Sequence, residues 1–315
     1  MALDSRGFAL PDTQARPEPE NPVESPLQEE RKSRVSAPGW LAVIWQNRKS
    51  RVGLGILGVF VILAVFAPWI APFDPHDTQF FPSEQPSAAH WLGTTQAGED
   101  ILSQLIWGAR TSLLVGLFAG FFSTVIGLVI GMIAGYAGGW LDDILSFFIN
   151  LALVVPTLPL MITLSAYSQI TGIAFIIFVI SITGWGWGAR VKRSQIITLR
   201  ERDYITASLF AGDSMFRIVF REIMPNMMSL IVASFIGAAG AAIGAEAGLA
   251  FLGLGDPMTV SWGTMLNWAN NSGAMLTGQW AWLVAPGLAL ALLITSLTLI
   301  NFGVDAISNP HLREE

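Results

Sequence analysis

Cysteine is absent from the 315-residue sequence, and charged side chains make up only 13% of it. Without cysteine the chain forms neither disulfides nor thiolate metal ligands, and its three histidines lack the spacing of a metal site. Soluble domains carry roughly 25% charged residues, so this chain has too little charge to cover a water-facing globule. A formal net charge of −6 without a dominant basic face argues against nucleic acid as a partner.

Signatures of catalysis are missing as well. The sequence has no glycine-rich loop that ends in Gly-Lys-Ser or Gly-Lys-Thr, which would cradle a nucleotide phosphate. Its long apolar stretches hold no paired acids and no nucleophile beside a base. We therefore expect no enzyme activity, no catalytic residue, no metal and no cofactor in this chain. Any ATP that it depends on must bind another chain.

The first 37 residues differ in composition from the rest, being rich in Pro, Glu, Arg and Ser. Such a segment buries too little apolar surface to fold, and we expect a disordered tail on the cytoplasmic side. No apolar run directly follows the first residues, as it would in a cleavable signal peptide.

Residues 38–315 are expected to form an all-α integral membrane domain. They contain six stretches without Asp, Glu, Lys or Arg, each close to the roughly 20 residues that cross a hydrocarbon core. Because a backbone in lipid must satisfy its own hydrogen bonds, these stretches should be helices, with a kink at Pro156 and Pro159. The predicted spans lie near residues 52–71, 112–136, 144–168, 172–189, 227–245 and 281–303.

Glycines recur four residues apart in the second predicted span. Gly116 and Gly120 form one such set, and Gly127, Gly131 and Gly135 form another. Small residues let helix backbones approach closely in lipid. Packing within the chain is the favoured interpretation, and an interface with another subunit is the alternative.

The positions of Lys and Arg predict the orientation. All 17 except Arg110 lie before the first span, between the fourth and fifth, where Lys192 and Arg193 occur, or after the sixth. Cytoplasmic loops carry an excess of these residues, so both termini should be cytoplasmic. The short acidic turn containing Asp142 lies on the same side and is expected to be solvated.

The cytoplasmic segment 190–226 is too long for a simple turn in a helical bundle. Residues 204–210 read as a short helix, which Gly212 interrupts, and Asp213 or Ser214 can cap the helix that follows. That second helix, over 215–224, should carry Phe216, Val219, Phe220 and Ile223 on one face. Two short helices that meet at a glycine would form a compact knob able to enter a cleft on a soluble partner.

This segment resembles the loop shared by permease subunits of ABC importers. The family pattern is Glu-Ala-Ala, three residues, Gly, then about nine residues to an apolar pair and Pro-Asn. The matching positions are Ala207, Gly212, Pro225 and Asn226. Thr206 replaces the usual Glu and Ser208 the second Ala, which removes one acid that would pair with the ATPase but keeps the shape of the loop.

Three further segments resemble the dipeptide, oligopeptide and nickel branch of that family. They lie at 90–113, at 246–263 and at 301–310, and the first departs from the branch at Glu99, where Arg is usual. The resemblance covers about residues 37–315 and is closest to the second permease type, which has six spans. It implies a type I ABC importer permease-like bundle in a prokaryotic cell membrane.

The resemblance also implies partners and roles. The partners would be a second homologous permease subunit, two cytoplasmic ATPase subunits and an extracytoplasmic solute-binding protein. Coupling to the ATPases would fall to Thr206, Ala207, Ser208, Gly212, Phe216, Pro225 and Asn226. Peptides are the expected solute, with oligosaccharides or nickel as alternatives. An ion-gradient transporter is the other class, but it would need charges near the bilayer midplane, which the six stretches lack.

Glu246 is the one carboxylate near the fifth span. It lies about 19 residues beyond Met227, or roughly 29 Å along a helix, and so near the outer surface. A structural role there, capping or pairing at the outer mouth, is favoured over direct contact with the solute, and both remain open.

Overall fold

The computed structural model describes residues 47–168 and 170–308, with side chains as far as Val304. The predicted tail, residues 1–37, lies outside this part of the chain. The regular structure of the described residues is helical, and one isolated antiparallel bridge pairs Thr94 with Asp100.

The helices follow one another with few long connections. In chain order they are α1 Arg48–Val65, α2 Ala67–Ile70, α3 Ile101–Ala137, α4 Gly139–Val154, α5 Thr157–Ser168, α6 Ile173–Gly184, α7 Gly186–Arg200, α8 Asp203–Phe210, α9 Met215–Arg217, α10 Met224–Asn226, α11 Met228–Phe251, α12 Trp262–Asn271 and α13 Trp280–Ser308. A π-helix, Ile218–Ile223, joins α9 to α10.

Three of the described helices, α3, α11 and α13, are long and apolar enough to cross a membrane. The pairs α4–α5 and α6–α7 are each bent at a short break, and counting each pair as one span raises the total to five. The predicted first span corresponds to α1 and α2, where α1 begins with three cations among its first four residues. The all-α membrane architecture is therefore confirmed, and the sixth span stays a prediction.

The third predicted span bends sharply, as its prolines indicate. Helices α4 and α5 meet at 85°, with Val155 and Pro156 between them. Proline lacks the N–H that would continue the helix, which explains the break at this place. The break between α6 and α7, at Trp185, is milder, at 44°, and no proline marks it.

Helix α3 is the centre of the bundle and packs along both α7 and α11. A Cβ atom added at Gly120 would lie 2.7 Å from the Cα atom of Ala239 in α11, and one at Gly131 would lie 2.8 Å from the carbonyl oxygen of Ala189 in α7. Backbones this close leave no room for a side chain. The two glycine sets therefore serve packing within the chain.

The two ends of α3 contact different parts of the chain. Near its start, the carbonyl of Leu105 accepts a 2.9 Å bond from the indole of Trp262, which is 1% exposed. Near its end, the guanidinium of Arg200 donates to the carbonyl of Tyr136 at 3.0 Å. One end of the bundle is thus covered by α12 and the other by the end of α7, to which the segment 201–227 is attached.

Candidate functional site: the knob between residues 203 and 226

The first arm of the knob is α8, and the chain leaves it through a left-handed turn at Gly212. The N–H of Gly212 donates to the carbonyl of Leu209 at 3.0 Å, and that of Asp213 donates to Ser208 at 3.1 Å. This pair of bonds is a Schellman motif, which requires a left-handed residue, and Gly212 has φ +79°. The predicted glycine break is therefore confirmed as a turn with a defined geometry.

The second arm begins at Ser214, whose hydroxyl accepts from the N–H of Arg217, as an N-cap should. Asp213 pairs with the guanidinium of Arg217 at 2.9 Å, one turn along. Most of this arm, Ile218–Ile223, is a π-helix rather than the α-helix that the sequence predicts.

The prediction that Phe216, Val219, Phe220 and Ile223 share a face is wrong. Val219 and Ile223 are buried, at 6% and 0% exposure, whereas Phe216 is 71% and Phe220 44% exposed. A π-helix bonds each N–H to the carbonyl five residues back, so its side chains rotate away from the α-helical periodicity. The arm consequently turns Val219 and Ile223 toward the bundle and leaves Phe216 and Phe220 exposed.

A buried apolar cluster fixes the knob to the bundle. Its members come from α3, α7, both arms of the knob and the start of α11: Met132, Ile196, Ile205, Ile218, Val219, Ile223 and Met227. Each is less than a tenth exposed. Burying a side chain of this size is worth about 1.5–3 kcal/mol, so the cluster ties the knob firmly to the ends of α3 and α7.

The tip of the knob is apolar and exposed. Phe210 is 89% exposed and Leu209 53% exposed, and Phe216 stacks on Phe220 with ring centroids 4.3 Å apart. Adjacent large apolar side chains that face outward are typical of surfaces that contact a protein partner or a membrane. Leu209 and Phe210 were not assigned a role from the sequence, although two apolar residues shortly before a loop glycine are a visible signal.

The sequence-predicted coupling residues fall into two groups. Thr206 and Ala207 are exposed on α8, Ser208 is half-buried, and these three lie with Gly212 and Phe216 on the outer part of the knob. The other two predicted residues, at its exit, are exposed as well. There the side-chain amide of Asn226 donates to the carbonyl of Glu222 at 2.6 Å and ties the exit of the knob to its second arm.

Glu246 lies far from the knob, near the other end of α11. It is 2% exposed, it lines a small cavity together with Ser261 at the N-cap of α12, and its Oε2 has no partner among the described residues. The volume of this cavity is about 10 Å³, and its lining includes Asp256. A cavity of that size holds at most about one water molecule, so a solute does not enter it. The role of Glu246 stays a prediction.

Two family models match the chain. Residues 127–314 match the "Binding-protein-dependent transport system inner membrane component", and residues 42–87 match the "N-terminal TM domain of oligopeptide transport permease C". Among curated proteins, the "Dipeptide transport system permease protein DppC" of Escherichia coli is 38% identical over 282 residues, which cover 85% of this chain and 91% of that protein. The protein of the same name from Bacillus subtilis is 33% identical over 272 residues, covering 85% and 83%.

A solved structure agrees in fold. A chain of the MetNI methionine ABC transporter, in an inward-facing conformation, superposes with a TM-score of 0.53 and 20% sequence identity. The alignment covers 67% of this chain and 97% of that one. At this level of identity the similarity concerns the fold alone.

Proposed function

Since this chain belongs to the family of inner membrane components of binding-protein-dependent transport systems, we propose that it is a peptide-carrying permease of an ABC importer whose knob couples it to an ATPase. Membership makes it a multi-pass membrane transport subunit that works with ATPase chains. The names of its relatives support peptides as the solute, because the curated relatives from Escherichia coli and Bacillus subtilis are dipeptide permeases.

The observation that carries the coupling role is an exposed apolar tip on a firmly anchored base. Phe210 and Phe216 project from two short arms that the left-handed turn at Gly212 holds together. Through Ile196 and Met132 the same arms pack on α7 and α3. A push on the tip would therefore be transmitted to the bundle as a rigid displacement rather than absorbed by a flexible loop.

The assembly that we propose has a second homologous permease beside this chain, two ATPase subunits under the knobs and a solute-binding protein at the opposite end. We place both termini on the ATPase side. Ser50, near the start of α1, donates to the carbonyls of Leu299 and Ile300 late in α13, so the first and last helices meet at one level. The excess of Lys and Arg before the first span and in the segment 190–226 supports a cytoplasmic location for that side.

A cross-linking experiment tests the coupling role. The chain has no cysteine, so Phe210→Cys introduces a single thiol at the tip. Phe81→Cys is the matched control, because Phe81 is 81% exposed on the segment before α3, whose start is covered by α12 and not by the knob. We expect a short thiol-to-amine cross-linker to join the first variant, and not the second, to an ATPase chain identified by mass after purification in mild detergent. An ATPase chain joined equally to both variants, or to neither in an intact complex, would contradict the proposal.

The solute is tested separately, by uptake into proteoliposomes that hold the complete complex with its binding protein. ATP-dependent accumulation of a radiolabelled dipeptide is the expected result. Accumulation of an oligosaccharide or of nickel in its place would remove peptides from the proposal while leaving the coupling role intact.

A further inference from the structure

A cavity of about 560 Å³ opens where α6 breaks into α7, between these helices and α3, α11 and α13. Its volume lies within the range of about 300–1,000 Å³ typical of sites for small ligands. The wall formed by α11 consists mainly of small residues, among them Ser234 and Gly237, which leave the space open. Small residues alone do not make a site, and the polar groups around this cavity decide what it can hold.

The first polar group is Lys192, which is fully buried at 0% exposure. A lysine near a membrane surface normally extends its ammonium toward water. The ammonium of Lys192 instead lies back along α7, 3.4 Å from the carbonyl oxygen of Gly188, at the wall of the cavity. In the described part of the chain no carboxylate lies within ion-pairing distance of it. A buried charge without an ion-pair partner is costly to a fold, and an anion that arrives from outside would lower that cost.

Two further polar groups belong to residues that line the same cavity. Thr124 Oγ1, on α3, and Asn301 Oδ1, on α13, are buried atoms without a hydrogen-bond partner among the described residues. Both residues line the cavity with Lys192. Three helices thus bring one cationic donor and two acceptors to the wall of one largely apolar cavity.

We propose that this cavity is a transit site for a peptide with a free C-terminal carboxylate. This inference rests on the proposed peptide function. The ammonium of Lys192 binds the carboxylate, and Thr124 Oγ1 and Asn301 Oδ1 accept hydrogen bonds from N–H groups of the peptide. A charge-assisted bond of this kind is about twice as strong as a neutral one. The same ammonium repels a nickel cation and finds no anion on a neutral oligosaccharide, so the cavity favours peptides among the three candidate solutes.

The first experiment removes the charge and then restores it. The complete complex with its binding protein is reconstituted, and initial dipeptide uptake is measured per assembled complex. We expect Lys192→Met to reduce uptake by about tenfold or more, the range for losing a hydrogen bond to a charged group. Lys192→Arg should restore uptake to within about threefold of wild type, since it keeps the charge. Lys49→Met, at an exposed lysine on α1, is the matched control and should stay within about twofold.

A second readout reports occupancy of the cavity directly. Ser234→Cys places a single thiol on the cavity wall, and its alkylation rate is measured with and without millimolar dipeptide. Dipeptide should slow alkylation when Lys192 is present and should have little effect when Ser234→Cys is combined with Lys192→Met. Equal slowing in both backgrounds would overturn the assignment of Lys192.

Other results of these experiments would overturn either the transit site or the peptide function. Uptake by Lys192→Met within twofold of wild type, or an equal loss in Lys192→Arg, overturns the site. If Lys192→Met does not assemble, Thr124→Val keeps the shape and removes one acceptor, and it should lower uptake several-fold; unchanged uptake then overturns the site. A wild-type complex that accumulates no dipeptide at all instead overturns the proposed peptide function.

Discussion

Gly212 offers the sharpest test of how the knob works. Its φ of +79° is left-handed, and a Cβ atom added there would meet no atom within 4 Å. A substitution therefore causes no clash and acts through the backbone alone. An L residue in this conformation costs roughly 1–2 kcal/mol, and a β-branched residue tolerates it least. The strain can be relieved only by opening the turn between α8 and α9, which breaks the two hydrogen bonds that define it.

The size of the effect follows from that cost. One or two kcal/mol change the ratio of two conformations by about 5- to 30-fold. We expect Gly212→Val to lower dipeptide uptake at least about fivefold, with Gly212→Ala between it and wild type. Gly212→Asn is the matched control, because asparagine adds a side chain and still adopts left-handed conformations. It should transport close to the wild-type rate.

The assay measures ATP hydrolysis and uptake in the same proteoliposomes, so that solute moved per ATP is obtained for each variant. Helical content and the yield of assembled complex should be equal in all four proteins, because the buried cluster beneath the knob is untouched. Equal transport by the valine and asparagine variants would refute the reasoning. So would a loss of assembly in the valine variant, since the strain would then act on the fold rather than on coupling.

Three further substitutions test the packing of the bundle by thermal unfolding of the purified complex. Trp262→Ala should lower stability by about 3–5 kcal/mol, because it empties a buried aromatic site and frees a hydrogen-bonded carbonyl. Gly120→Val should be destabilising by about 1–3 kcal/mol, because its Cβ atom would overlap Ala239. Asp142→Asn should cost only about 1 kcal/mol, since its pair with Arg193 is partly exposed; a coupling energy near zero in a double-mutant cycle would contradict that contact.

The long helices were predictable because the thickness of the hydrocarbon core sets the length of a helix that crosses it. A stretch of about 20 residues without charge has one stable conformation in lipid, so composition alone places α3, α11 and α13. The turn at Gly212 was predictable for a similar reason, since glycine is the residue that adopts a left-handed conformation without strain. In both cases a local rule decides the structure without knowledge of distant contacts.

Distant contacts explain what the sequence could not show. Asp142 was expected to be solvated, yet it forms two bonds, of 2.6 and 2.7 Å, with Arg193, which is 51 positions away in the sequence. Counting charges along the sequence treats Lys192 as a loop cation, because the count does not show in which direction its side chain points. Only the path of α7 along α3 shows that this lysine is buried. The prediction that the apolar residues of the second arm share one face is wrong because a π-helix has no clear sequence signature, and an α-helical periodicity was assumed.

Helix α7 joins the two proposed sites mechanically. Lys192 and Ile196 are one helical turn apart on α7, the first at the cavity and the second in the cluster beneath the knob. Residues four apart lie on the same face of a helix, so they move together. Gly131 and Gly135 of α3 pack closely against α7 on this stretch. We therefore expect that a displacement of the knob that carries Ile196 also moves Lys192, so that the geometry of the proposed transit site would change with the position of the knob.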